Sequence, residues 1–139
     1  MKQKKIANQT RQTLKRTNFP KYKSRLYRSS WLARTRKLGV DKKLVPTTLQ
    51  IEKWLIDQVP YVCYYTGAKL GLNFEADHKV PLSRGGSPDL NNICLCTPAM
   101  NGAKGNLTDK EFKQLLKLIS KWDDSAGKSL LARLRRGHF

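Results

Sequence analysis

The chain has 139 residues, enough for one domain and an extension, and its 28 Lys and Arg against 10 Asp and Glu give a formal charge of +18. Such a basic excess indicates a polyanionic partner, and no apolar run approaches the roughly 20 residues of a membrane-spanning helix, so we expect nucleic acid rather than a membrane. Three cysteines form no even disulfide set and no secretory signal is visible, which favours a reducing, cytoplasmic compartment.

The basic residues are concentrated at the start of the chain. Residues 1–43 contain 15 Lys and Arg and one acid, Asp41. Up to Pro20 this segment is polar and lacks apolar periodicity, which predicts disorder in isolation. Residues 22–38 place apolar side chains at roughly helical intervals before Gly39, which predicts a basic helix. We therefore divide the chain into a basic arm, residues 1–43, and a domain, residues 44–139.

Two capping boxes mark helix starts within that domain. In such a box a Ser or Thr and a Glu or Gln three residues later exchange hydrogen bonds with the first-turn backbone. Thr47 with Gln50 predicts a helix over about 47–58, and Thr108 with Glu111 predicts another from about 108.

Short strands and one short helix are predicted between these two helices. In chain order they are a strand with a tight turn on Gly67 at 61–72, a strand at 73–78, a loop at 83–89, a strand at 93–96 and a helix at 98–104. A last helical piece is predicted at 129–136. This mixture predicts an α+β fold.

One stretch of this domain carries residues suited to phosphodiester hydrolysis. Its characteristic residues are Asp77-His78, Pro81, Arg84-Gly85-Gly86, Asn92, Asn101 and Lys104-Gly105. A histidine can activate water, and carboxylate and amide oxygens can hold a divalent cation that neutralises charge on a phosphate. Each residue alone is a weak signal, but the combination is specific.

The segment from Cys63 to Lys104 resembles the HNH nuclease family in these residues and their spacing. The resemblance covers less than half of the chain. It implies a ββα-metal core at about 61–105, flanked by helices that include those at about 108–136, and a metal-dependent endonuclease that hydrolyses DNA in preference to RNA, with one strand cut per active site. The small size and basic arm are similar to phage-encoded or homing-type members, which implies a bacterial or phage-infected cytoplasm.

The resemblance also implies roles for individual residues. His78 would be the general base, and Asn92, which we prefer to its neighbour Asn91, would orient the histidine and hold the loop. Asp77 and Asn101 would hold one divalent cation, with Mg²⁺ expected and Mn²⁺ as the other candidate.

Basic side chains are the expected contacts to nucleic acid. Arg84 and Lys104 are similar to phosphate ligands beside the site, although for Lys104 plain surface exposure is the alternative. The arm would contribute Arg25, Arg28, Arg34 and Arg36. A solvated tail without a partner is the competing interpretation of the arm.

The cysteines depart from the pattern of many HNH proteins, which hold a structural zinc through two Cys-x-x-Cys pairs. The corresponding positions here are Cys63, Thr66, Thr97 and Met100. One of four ligands is left, so we expect no structural zinc. We also expect Cys94 and Cys96 to point to opposite faces of their strand. These losses support the alternative function, a non-catalytic basic nucleic-acid-binding module with a degenerate HNH core.

Overall fold

A computed structural model of the chain describes residues 18–121 and, beyond them, only residues 125–126, 128–129 and 132. The first 17 residues of the basic arm and most of the helical piece predicted at 129–136 lie outside the described residues. The elements are helix α1 (Phe19–Leu38), helix α2 (Thr48–Asp57), strand β1 (Glu75–His78), strand β2 (Ile93–Cys96), helix α3 (Pro98–Lys104) and helix α4 (Asp109–Ser120). Helices and a two-stranded antiparallel sheet make this an α+β protein.

The chain divides into two compact units. The first contains the described residues up to Val59 together with Pro88–Leu90, and the second contains Pro60–Ser87 and the described residues from Asn91 onward. Helices α1 and α2 therefore share a unit. Residues 44–59 group with the basic helix, whereas the sequence alone suggested a division at residue 43.

The first unit is formed by α1 packed on α2. The helix predicted at 22–38 is confirmed and begins slightly earlier, at Phe19, because a proline fits in the first helical turn. It ends at Gly39, whose φ of 69° lies in the left-handed region that glycine adopts without steric cost. Trp31 of α1 and Ile51 and Leu55 of α2 are almost fully buried and form the core of this unit.

Helix α2 starts as its capping box predicts. The Thr47 hydroxyl accepts from the Gln50 N–H at 3.2 Å, and the Gln50 side chain accepts from the Thr47 N–H at 2.9 Å. The second predicted box, at the start of α4, is present with the same reciprocal bonds. None of the helices in the described part of the chain is long and apolar enough to cross a membrane.

The sheet of the second unit is short. The strand predicted at 93–96 is confirmed, and the one predicted at 73–78 begins two residues later, at Glu75. The strand predicted within 61–72 is wrong: that segment forms only one isolated bridge, Val62 with Lys69. The tight turn is confirmed, with Gly67 at φ 72°. The residues of this turn are not available to extend the pairing of Val62 with Lys69.

The register of the two strands decides which side chains share a face. Asp77 lies opposite Cys94, and Glu75 lies opposite Cys96. Residues two apart on a strand point to the same face. Our expectation that Cys94 and Cys96 point apart is therefore wrong, and both thiols lie on the face that carries the two carboxylates.

The core of the second unit joins β2, α3 and α4 to the turn before β1. Cys63, Cys96, Met100 and Phe112 form a buried cluster, and each is at most 1% exposed. Helix α3 is capped at its N-terminus by Thr97, whose hydroxyl accepts from the Met100 N–H at 3.2 Å. This packing holds α3 beside β1, with which it makes direct contacts.

Candidate functional site

The candidate site lies where β1 meets α3. Glu75 and Asp77 share one face of β1, and Asn101 and Lys104 lie about one turn apart on α3. Glu75 Oε2 accepts from Asn101 Nδ2 at 2.5 Å, and Asp77 Oδ2 lies 3.1 Å from Lys104 Nζ. Both contacts connect the strand to the helix. The two residues that the sequence proposed as cation ligands, Asp77 and Asn101, therefore lie on contacting elements, each bound to a different neighbour.

Lys104 is buried. Its side chain is 0% exposed, and its Nζ donates to the backbone carbonyl of His78 at 3.0 Å in addition to its contact with Asp77. The expectation that Lys104 binds phosphate from the surface, or is simply exposed, is therefore corrected. A buried ammonium requires compensating acceptors, and this one has them.

Asp77 receives two further donors besides the ammonium. The Tyr65 hydroxyl donates to Asp77 Oδ2 at 2.8 Å, and the Cys94 thiol lies 3.9 Å from the same oxygen. Burial above all, and then the nearby Cys94 thiol and Asp77 carboxylate, raise the pKa of Tyr65 far above its ordinary value. Burial likewise raises the pKa of Cys94 to about 12. Both groups therefore stay protonated at neutral pH, as donors to a carboxylate must.

His78 ends β1 and is 3% exposed, with its Nε2 atom fully buried. The chain turns directly after it, where the Lys79 N–H donates to the Asn92 carbonyl at 2.7 Å. The Asn92 side chain accepts from the Val80 N–H at 2.9 Å and donates to the carbonyls of Val80, at 2.9 Å, and Ser87, at 2.8 Å. Asn92 thus fastens the loop that follows the histidine.

The glycines of that loop allow a close approach of two backbone segments. Gly85 has φ 82°, in the left-handed region. A Cβ added to Gly86 would lie 1.9 Å from the Val80 carbonyl oxygen, so no other residue fits without moving the backbone. Arg84, in the same loop, forms an ion pair with Glu111 and donates to the Asn106 carbonyl at 3.1 Å. Its side chain remains 45% exposed.

The arginines of α1 fall into two groups. Arg28 donates to the carbonyls of Val45 and Pro46, and so fastens the segment between α1 and α2. The other three are exposed, and we call them the exposed α1 arginines: Arg25, Arg34 and Arg36.

Three of the positions that correspond to zinc ligands in HNH proteins lie together around one thiol. Burial acts to raise the pKa of Cys63, but hydrogen bonds from the Thr66 hydroxyl and from the backbone of Thr97, Tyr65 and Thr66 outweigh it and lower the pKa. The fourth position, Met100, packs in the same buried cluster. Within the part of the chain that the structure describes, no group of three or more His, Cys, Asp or Glu side chains could hold a metal ion.

Oxygen donors at the β1–α3 contact nevertheless suit a hard divalent cation. An ionised carboxylate offers about four lone-pair sites. Asp77 Oδ1 takes only a long contact of 3.4 Å from Lys104, so it keeps acceptor capacity. Asn101 turns Nδ2 towards Glu75, which directs its other amide atom, Oδ1, away from that carboxylate. Each of the two proposed ligands thus has one oxygen that is not the partner of its shortest contact.

Sequence reasoning missed Glu75 and Tyr65 as parts of this site. Glu75 had a usable signal, because it precedes Asp77 by two residues on a predicted strand and must share its face. Tyr65 had none, since it reaches Asp77 from a different segment of the chain. Comparison of the sequence with protein-family models and with curated proteins found no match.

Proposed function

We propose that this chain is a metal-dependent HNH endonuclease that hydrolyses DNA phosphodiester bonds and nicks one strand per active site. The observation that carries the proposal is the β1–α3 contact. There the carboxylate of Asp77 contacts Lys104 and the amide of Asn101 contacts Glu75, on the strand that ends with His78, in a β1–β2–α3 order compatible with a ββα core. The charge of +18 supports a polyanionic substrate.

In this proposal His78 accepts the proton of the attacking water. Asn92 supports that role by fixing the loop directly after the histidine. His78 is 3% exposed, so we infer that the site opens when substrate binds.

Asp77 and Asn101 would hold one divalent cation, Mg²⁺ or Mn²⁺. When bound, such an ion neutralises charge that develops on the phosphate. The protein's own part is to present the two oxygens in fixed positions. Lys104 holds Asp77 from within the fold, and Glu75 holds Asn101.

DNA affinity would come from basic side chains outside this contact. The exposed α1 arginines and the half-exposed Arg84 are the candidates among the described residues. Phosphate contacts of this kind release counterions and supply affinity without sequence preference.

One feature of the site favours a second function, a non-catalytic nucleic-acid-binding module. Asp77 is already neutralised by a buried ammonium, as a carboxylate with only a structural role would be. Supercoiled plasmid separates the two functions. The nuclease relaxes it in the presence of Mg²⁺, and EDTA prevents relaxation. The binding module retards the plasmid on a gel and leaves it supercoiled under both conditions.

A further inference from the structure

We propose that Glu75 is a positioning residue that fixes the orientation of the Asn101 amide and thereby sets the affinity of the site for a divalent cation. The inference rests on the proposed function, in which Asn101 is a cation ligand. It assigns a role to a residue outside the Asp-His and Asn positions of the motif. Glu75 acts through Asn101 and is not itself a ligand.

The argument begins with the chemistry of the contact. Glu75 Oε2 lies 2.5 Å from Asn101 Nδ2. An ionised carboxylate can only accept hydrogen bonds, and an amide can donate only through its nitrogen. Glu75 therefore permits one of the two amide orientations. In the flipped orientation Oδ1 would face the carboxylate and Nδ2 would take its place, where it cannot bind a cation.

The backbone makes this contact specific. Glu75 shares a face of β1 with Asp77, and both side chains reach the same short helix, α3. Strand β1 therefore contains one proposed ligand, Asp77, and orients the other, Asn101, through Glu75. Charge-assisted hydrogen bonds of this kind are short and strong, and partners that orient a metal ligand typically change metal affinity by about 10- to 100-fold when they are removed.

Binding of Mn²⁺ to the purified full chain, measured by the EPR signal of the free ion, tests the proposal without cleavage. We expect Glu75→Ala to weaken Mn²⁺ binding by about 10- to 100-fold. Glu75→Gln keeps an oxygen that can accept from Nδ2, but its own amide can also donate to a flipped Asn101. About half of the molecules would then hold Asn101 in the binding orientation, so we expect Mn²⁺ affinity to remain within about threefold of the unaltered protein. Glu52→Ala, which removes a carboxylate from α2 in the other unit, is the matched control and should leave Mn²⁺ affinity unchanged.

A double-mutant cycle separates positioning from direct ligation. If Glu75 acts through Asn101, then Glu75→Ala has no further effect on Mn²⁺ affinity once Asn101→Ala is present. A full additional loss in that background would overturn the proposal, because Glu75 would then bind the ion or act by charge alone. Glu75→Gln as weak as Glu75→Ala would overturn it for the same reason.

Failure of this inference is distinguishable from failure of the proposed function. Unaltered protein that binds Mn²⁺ and relaxes plasmid, with Glu75→Ala equal to it in Mn²⁺ affinity, overturns only the positioning role. Unaltered protein that neither binds Mn²⁺ nor relaxes plasmid overturns both. Should Glu75→Ala not fold, as judged by circular dichroism, Glu75→Val takes its place alone and combined with Asn101→Ala, because valine also removes the acceptor and is favoured in strands.

Discussion

Replacing Lys104 with Met should strongly destabilise the unit that contains the sheet. Methionine keeps much of the buried stem but removes the ammonium, which leaves Asp77 charged and the His78 carbonyl without this donor. Removing one partner of a buried ion pair costs about 3–5 kcal/mol, because the remaining charge is uncompensated. A small domain has a total stability of about 5–15 kcal/mol, so we expect the free energy of unfolding to fall by roughly a fifth or more.

Urea unfolding followed by circular dichroism measures this loss. Because the chain has two units, hydrogen exchange at the amides of β1 and β2 should accompany it, to report on the second unit alone. Lys117→Met, at an exposed position of α4, is the control and should change stability by no more than about 0.5 kcal/mol.

A second variant checks the physical reason for the loss. Lys104→Met combined with Asp77→Asn removes both charges, so we expect it to be more stable than Lys104→Met alone. The reasoning is refuted if Lys104→Met is as stable as Lys117→Met, or if the added Asp77→Asn lowers stability further by its full separate cost.

Three further predictions concern the loop, the thiols and the arm. Gly86→Ala should lower stability by about 1–3 kcal/mol, since its Cβ would overlap the Val80 carbonyl, and a melting temperature equal to that of Gly71→Ala would contradict this. Burial raises the pKa of Cys94 from 9.0 to about 12, so its contribution to stability is complete below 9.0 and is lost as the pH rises towards 12. Urea midpoints of unaltered protein should therefore fall over that range more steeply than those of Cys94→Ala, and parallel curves would contradict the shift. We also expect a change when the exposed α1 arginines are replaced with Gln. The slope of log K, the logarithm of the binding constant for duplex DNA, against log salt should become less steep by roughly 0.9 for each phosphate contact that is lost. An unchanged slope would mean that these arginines are only solvated.

The helices were the part of the fold that the sequence predicted best. Their signals are local: the two capping boxes, a proline in the first turn of α1 and α3, and Gly39 after α1. Strand β2 was predicted with its observed bounds, because an apolar run of four residues between polar segments has few other interpretations. The segment at 61–72 was predicted less well. Its length would allow a hairpin, but with the turn in place only one bridge forms.

The sequence could predict several residues of the candidate site, but not which of them contact one another. Asp77, His78 and Asn101 were proposed from their resemblance to a known motif, but their partners come from other segments of the chain. Burial of Lys104 runs against the ordinary behaviour of lysine, which is almost never fully buried unless paired. Its partner could not be identified before β1 and α3 were brought together, so the sequence suggested a surface phosphate ligand where the structure has an internal ion pair.

Cleavage and binding by His78→Ala, measured side by side, test the central claim most directly. The rate of plasmid nicking should be measured with Mg²⁺ and saturating protein, and DNA affinity should be measured separately in EDTA. We expect the variant to bind DNA as the unaltered protein does and to cleave about 10²- to 10⁴-fold more slowly, the usual contribution of a positioned base. Matching circular dichroism would show that it is folded. Cleavage by His78→Ala at the unaltered rate, or no Mg²⁺-dependent cleavage by the unaltered protein, would contradict the account.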